Sequence, residues 1–207
     1  MFIEILIVGK SPLLFNRMSE TELLGLRKPG GKKSKTAPRP ELPRDEAEPK
    51  LYVTKEGKPY LPIEHLFACL VAAGQMVRLD GRRQMSTAKS TMLPAFLTLL
   101  DPFLPLIDPG ARGNNPPPSW EVDMRKGTNP NGGEAVCIVR PRFDRWGFRC
   151  NVEVDENEIG EPVIRELFDK AGSRIGLGDF RPSRKGPFGR WQVNEWKKGK
   201  EVSQAAE

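Results

Sequence analysis

Histidine is almost missing from these 207 residues, with His65 alone, and the three cysteines are odd in number and lack CxxC spacing. Cys69, Cys137 and Cys150 also lie in apolar surroundings, so neither a disulfide framework nor a zinc site is indicated, and a reducing, intracellular setting is expected. Long apolar runs are missing too. The opening MFIEILIVGKSP has no basic stretch ahead of its apolar residues and is too short to span a bilayer, which excludes a convincing signal peptide or membrane helix there. A soluble, cytoplasmic chain without a membrane partner is the expectation.

Cofactor motifs fail at single positions. VGKS at 8–11 needs glycine at position 4 to read as GxxxxGK[ST], and Glu4 stands there. GLGDF follows a helix instead of a first strand, so it is not a dinucleotide fingerprint. No cofactor and no metal are expected; Asp155, Glu156 and Glu158 read as a solvated turn and helix start. His65 needs a positioned partner to act as a general base, and Glu64 beside it in sequence points elsewhere on a helix.

What the chain does have is segregated charge. Its 33 Lys plus Arg outweigh 27 Asp plus Glu, a net charge of +6. Residues 27–39 hold six basic side chains and no acidic one, and residues 174–200 hold eight against two, while 153–169 is mostly acidic. Such a pattern suits a polyanionic partner. Within RIGLGDFRPSRKGPFGRWQV, Gly176, Gly178, Gly186 and Gly189 are packed around Arg181, Arg184, Lys185 and Arg190. Glycine permits positive φ and close approach of another backbone or a ligand, so the loop reads as a phosphate-binding turn or as a tight structural one. VRPRFDRWGFR interleaves Arg140, Arg142, Arg145 and Arg149 with Phe143, Trp146 and Phe148, a mixture of core aromatics with the makings of a stacking platform and phosphate clamps.

The periodicities predict an α+β fold with an antiparallel sheet and helices on one face, ferredoxin-like or RNA-recognition-like. FIEILIV reads as a buried first strand, KLYVTKEGKPYLP as a hairpin turning at Glu56 and Gly57, and IEHLFACLVAAGQMV as a helix burying Ile63, Leu66, Phe67, Leu70, Val71 and Gly74. TMLPAFLTLL reads as a second helix and PFLPLI as a short strand or extended segment. EAVCIVRPRF and WGFRCNVEV form two strands, EPVIRELFDKAGSRIG a helix, and GRWQVNEW the last strand. A single domain over 1–200 is expected, with insertions at about 19–50 and 108–133 and a disordered tail at 201–207. The first insertion cannot bury enough to fold alone, and the second is a long loop or hairpin with a short strand around 120–124.

GLGDFRPSRKGPFGRWQV resembles the C-terminal glycine-rich loop of the RAMP superfamily, the repeat-associated mysterious proteins of CRISPR systems. VGKSPLLFNR resembles the first strand and turn of the backbone subunit of CRISPR effector complexes and its phage-borne relatives, and KPYLPIEHLFACLVAAG the entry to their first helix. Matching segments cover the first 16 residues, 51–75 and 135–193. The resemblance implies an RNA-recognition fold with thumb-like and finger-like projections. It further implies a non-enzymatic protein that polymerises with copies of itself along a guide RNA beside other effector subunits, and through the guide meets a target nucleic acid. Chemistry and segment matches together place RNA binding at Lys10 and Arg17, at Lys32, Lys33 and Lys35 of the basic arm, and at Arg82 and Arg83. The glycine-rich loop adds Gly176, Gly178, Arg181, Arg184, Lys185 and Arg190, with Phe180 or Phe188 stacking on bases. Two departures stand out: the chain is short for a backbone subunit, and no catalytic aspartate is recognisable. An endoribonuclease of the same superfamily using His65, and a guide-independent single-stranded nucleic-acid binder of a phage or mobile element, are the alternatives.

Overall fold

Strand β1 (Phe2–Gly9) is the centre of the molecule. Its isoleucines fall at alternate positions, so Ile3, Ile5 and Ile7 project to one side, where they are buried. The computed structural model describes residues 1–19, 23–24, 40–111, 116–128 and 133–199. Strand β8 (Gly147–Val154) pairs antiparallel with one edge of β1, Ile5 opposite Cys150, and β9 (Trp191–Gly199) with the other, Ile5 opposite Trp196. The three-residue β4 (Leu97–Leu99) closes the far side of β8, giving the antiparallel order β4-β8-β1-β9.

Helices α2 (Ile63–Ala73) and α4 (Glu161–Lys170) cover the isoleucine face. Leu66, Leu70, Ile164, Leu167 and Phe168 are fully buried against it. Chain order β1, α2, β4, β8, α4, β9 with that strand order is the ferredoxin-like arrangement, and the α+β class with an antiparallel sheet is as expected. The other face of the sheet carries polar side chains. At its middle Arg149 donates to Glu4 at 2.9 Å and to Glu195 at 3.2 Å, an ion-pair cluster where a platform of the RNA-recognition kind would place aromatic rings.

Two smaller sheets flank this core. Strand β2 (Leu13–Leu14) pairs with β7 (Ala135–Phe143), which pairs along its length with β6 (Glu121–Thr128). The short helix α1 (Pro43–Ala47) lies against β6 and β7. Behind it, Lys50 Nζ donates to the carbonyl of Val139 at 2.5 Å. Strands β3 (Tyr60–Pro62) and β5 (Phe103–Pro105) form a separate pair.

The hairpin turning at Glu56 and Gly57 forms as expected, Gly57 taking φ of 74°. The expected second helix at 91–100 does not. Only one turn, α3 (Leu93–Phe96), is helical, and the chain then extends because Leu97 and Leu99 find ladder partners in Val154 and Val152. Sheet pairing outweighs local propensity here. The second insertion is also more regular than a loop: β6 spans eight residues and is matched pair for pair by β7. Strands β7 and β8 lie in different sheets, joined by Asp144–Trp146. The Trp146 indole donates to the carbonyl of Ser11 at 2.8 Å and packs so close over Gly9 that a Cβ there would sit 2.3 Å from the ring. The tail at 201–207 and most of the first insertion lie outside the described residues, and no described helix is long and apolar enough to cross a membrane.

Cys69 and Cys150 are buried and Cys137 is exposed on β7. Burial pushes the Cys69 thiol up to about 12, against a smaller downward pull from Arg181, and pushes Cys150 up as well. At pH 8, iodoacetamide is therefore expected to label Cys137 in the folded protein and the other two only after urea unfolding. Peptide mass spectrometry checks this, and fast native labelling at Cys69 would contradict the packing.

Candidate nucleic-acid interface

The glycine-rich loop leaves α4 through a π turn at Ala171–Ile175 and returns as β9. Between them it locks onto the turn joining β1 to β2. Gly189 N donates to the Pro12 carbonyl and Asp179 N to the Leu14 carbonyl, both at 2.8 Å. In return Lys10 N donates to the Arg190 carbonyl at 2.7 Å, and Arg190 N to Ser11 Oγ at 2.9 Å.

Close backbone approach accounts for two of the glycines, one against the turn and one within the loop. Gly178 has φ of 72°, and a Cβ there would lie 2.4 Å from the Leu14 carbonyl oxygen. Gly189 has φ of 67°, and a Cβ would lie 1.8 Å from the Leu177 carbonyl oxygen. The chain's own backbone therefore already requires glycine there. Gly176 ends the π turn, its carbonyl accepting from the Cys69 thiol at 3.3 Å, and Gly186 sits against the Phe180 carbonyl.

Interlocking these two segments gathers cations. Lys10, Arg174, Arg184, Lys185 and Arg190 are exposed, and Arg17 and Arg181 are half-buried. None of the seven makes an ion pair among the described residues. Three have other partners: Arg17 lies over the Tyr52 ring at 5.7 Å, Arg181 donates to the Gly178 carbonyl at 2.7 Å, and Arg190 donates to the Ser173 carbonyl.

By contrast, all four arginines of the VRPRFDRWGFR segment are paired with carboxylates. Arg142 bonds Asp144, Arg145 bonds Asp108, Arg149 bonds Glu4 and Glu195, and Arg140 bonds Asp123 and Asp179. Phe143, Trp146 and Phe148 are fully buried. The three rings are therefore core and form no stacking platform, and each of the four arginines already has a carboxylate partner. Charge interleaving along a strand does not reveal which carboxylates stand opposite.

Arg140 instead joins two substructures. Its Nη1 meets Asp179 of the loop at 2.8 Å, and its Nη2 meets Asp123 of β6 at 3.4 Å, where Arg125 also bonds at 2.8 Å. Phe180 follows Asp179 with φ of 48° and is 37% exposed, whereas Phe188 is buried beneath it, between Phe180 at 6.0 Å and the Arg125 guanidinium at 4.6 Å. Phe188 is thus a support, and of the two expected stacking residues only Phe180 presents a ring to solvent. Arg82 and Arg83 lie apart, on a turn beyond the C-terminal end of α2 where Asp80 binds Arg83. Lys32, Lys33 and Lys35 fall outside the described residues.

Behind the cations runs a cleft of about 290 Å³ between α2 and the loop, lined by Asn16, Tyr52, His65, Ala68, Arg181 and Ser183 among others. The residues after β2 and before β3 complete it, a grouping that no local pattern signals. The His65 ring stands edge-on to Tyr52 at 5.2 Å and makes no hydrogen bond among the described residues. Burial, and then the nearby Arg181 charge, hold its pKa below the ordinary value, with Glu64 opposing. Burial raises that of Tyr52, against Arg17.

No family model and no curated protein matches the chain. Among solved structures it is similar to a chain in the cryo-EM structure of the type III-B Cmr-beta bound to cognate target RNA, with a TM-score of 0.54 and 9% sequence identity over 95% of this chain and 59% of that one. The likeness is one of fold, and this chain spans about three fifths of that neighbour's length.

Two outcomes follow for stability. Gly189→Ala is expected to lower the unfolding free energy by about 2 kcal/mol or more in urea titrations. Gly57→Ala, with similar φ but open space around it, should cost only about 1 kcal/mol. Equal costs would contradict the close approach. Because the His65 pKa is lower folded than unfolded, the unfolded chain binds more protons as pH falls through the ordinary histidine value of 6.5. Stability conferred by neutral His65 is present above that pH and lost below it. His65→Gln should flatten this acid limb in pH-dependent melts, and an unchanged slope would contradict it.

Proposed function

We propose that the chain is a non-enzymatic RNA-binding subunit of a CRISPR-type ribonucleoprotein, set side by side with copies of itself along a guide RNA and accompanied by other effector subunits. One observation carries this reading: a mutually hydrogen-bonded turn and loop, with Arg17 just beyond β2, present seven basic side chains with no carboxylate partner among the described residues. Unpaired cations on an ordered surface are suited to phosphates, lysine as a point charge and arginine as a fork. Recognition of this kind reads backbone and shape, so the sequence preference belongs to base pairing in the guide. The ferredoxin-like fold shared with a chain of an RNA-bound assembly, and the resemblance of the loop to RAMP proteins, agree with it. The basic arm at 27–39 adds charge to the same role. Among the described residues no carboxylate hydrogen-bonds His65 to orient it as a base, which favours binding over cleavage.

The test removes charge without disturbing the loop. Lys10→Gln, Arg184→Gln and Lys185→Asn combined spare every hydrogen-bonded arginine, and Asn tolerates the left-handed φ of 61° at 185. Titrating a fluorescent single-stranded RNA at several salt concentrations should show binding weakened alike for unrelated sequences. The slope of log affinity against log salt should become shallower by about 2, roughly 0.7 for each lost contact. Unchanged affinity and slope would overturn the assignment.

A further inference from the structure

Phosphate contacts leave the cleft behind the cations without a role. Its volume of about 290 Å³ is at the lower end for small-molecule sites and suits one planar ring system. Tyr52 and His65 meet there at 88°, an aromatic corner in which a flat heterocycle stacks on one ring and meets the edge of the other. Three polar side chains lining it, the Asn16 amide, the Tyr52 hydroxyl and the His65 imidazole, make no hydrogen bond among the described residues. Each can both donate and accept. Fixed positive charge comes from Arg181 in the cleft lining and from Arg17 over Tyr52, while the Asp179 carboxylate that also lines the cleft is paired with Arg140. An uncharged, planar, hydrogen-bonding group joined to a phosphate has those features.

We propose that the cleft receives one unstacked nucleobase of the bound strand, held against Tyr52 and His65 with its edge toward Asn16, while Arg17 and Arg181 meet the adjoining phosphates. This rests on the RNA-binding reading and deepens it. Single-stranded recognition commonly splays a base out of the strand onto an aromatic side chain. The bulk of α2 lies on one wall of the cleft, where Ala68 is exposed, so a larger side chain at 68 fills the space without entering the core.

The test uses the single histidine, whose ring protons give one resolved pair of NMR signals. Adenosine, guanosine, cytidine and uridine carry no phosphate, so they report on the cleft alone. Titrating them into the full chain should move the His65 signals to saturation for at least one nucleoside. Ala68→Trp, checked for an unchanged melting temperature, should weaken that response at least tenfold, and the variant lacking charge at positions 10, 184 and 185 should retain it. No shift with any of the four, or the same shift in Ala68→Trp, would overturn the proposal. A normal His65 response alongside RNA affinity insensitive to the charge-removing variant would support the base pocket and count against the phosphate surface, so the two readings fail separately.

Discussion

Reciprocal backbone hydrogen bonding between the β1–β2 turn and the glycine-rich loop is the constraint on which the basic surface depends. The carbonyls of Pro12 and Leu14 accept from Gly189 and Asp179, and Lys10 and Ser11 N–H groups return bonds to the Arg190 carbonyl. Segments about 170 residues apart are held at backbone distance, which leaves no room for a side chain at 178 against Leu14, while the loop's own fold back onto Leu177 leaves none at 189. The positive charges are therefore presented by a frame fixed before any ligand arrives. Preorganisation matters because ordering long basic side chains and their backbone on binding costs free energy that a rigid loop has already met on folding.

A second connection fastens that frame to the hairpin of β6 and β7. Arg140 is only 4% exposed, yet it bonds carboxylates from both substructures, and its Nε has no hydrogen-bond partner among the described residues. Buried pairs of this kind add little net stability over well-packed apolar residues, but losing one partner leaves a charge stranded, at about 3–5 kcal/mol. The pair is better understood as specifying position. It fixes Asp179, whose carboxylate accepts from the N–H of Phe180 at 2.8 Å while that residue is held with left-handed φ. Phe188, itself covered by the Arg125 guanidinium, supports the Phe180 ring from below. The one exposed aromatic of the loop is thereby braced from the hairpin side.

Much of the fold was legible because its main elements carry their own signals. The alternating isoleucines of β1, the Leu66–Leu70 and Ile164–Phe168 faces of α2 and α4, and the Gly57 turn each announce themselves locally. Residues 91–100 did not, since a helix-compatible run becomes a strand when β8 offers an unpaired edge. Of the candidate site, the glycine-rich loop and its cations were readable as composition, whereas the pairing of Arg140, Arg145 and Arg149 depends on carboxylates supplied by five other parts of the chain, only Asp144 beside Arg142 being local. The burial of Phe188 and the assembly of Asn16, Tyr52 and His65 into one cleft likewise come from tertiary contacts that sequence spacing does not encode.

Hydrogen–deuterium exchange with and without saturating single-stranded RNA tests most directly whether the interlocked turn and loop form the binding surface. Slowed exchange is expected in peptides covering residues 9–18 and 174–190, with the outward face of the four-stranded sheet unaffected, as judged by unchanged acetylation of Lys197 in the same samples. Protection confined to other segments, or shielding of Lys197 with no change at the loop, would contradict the assignment.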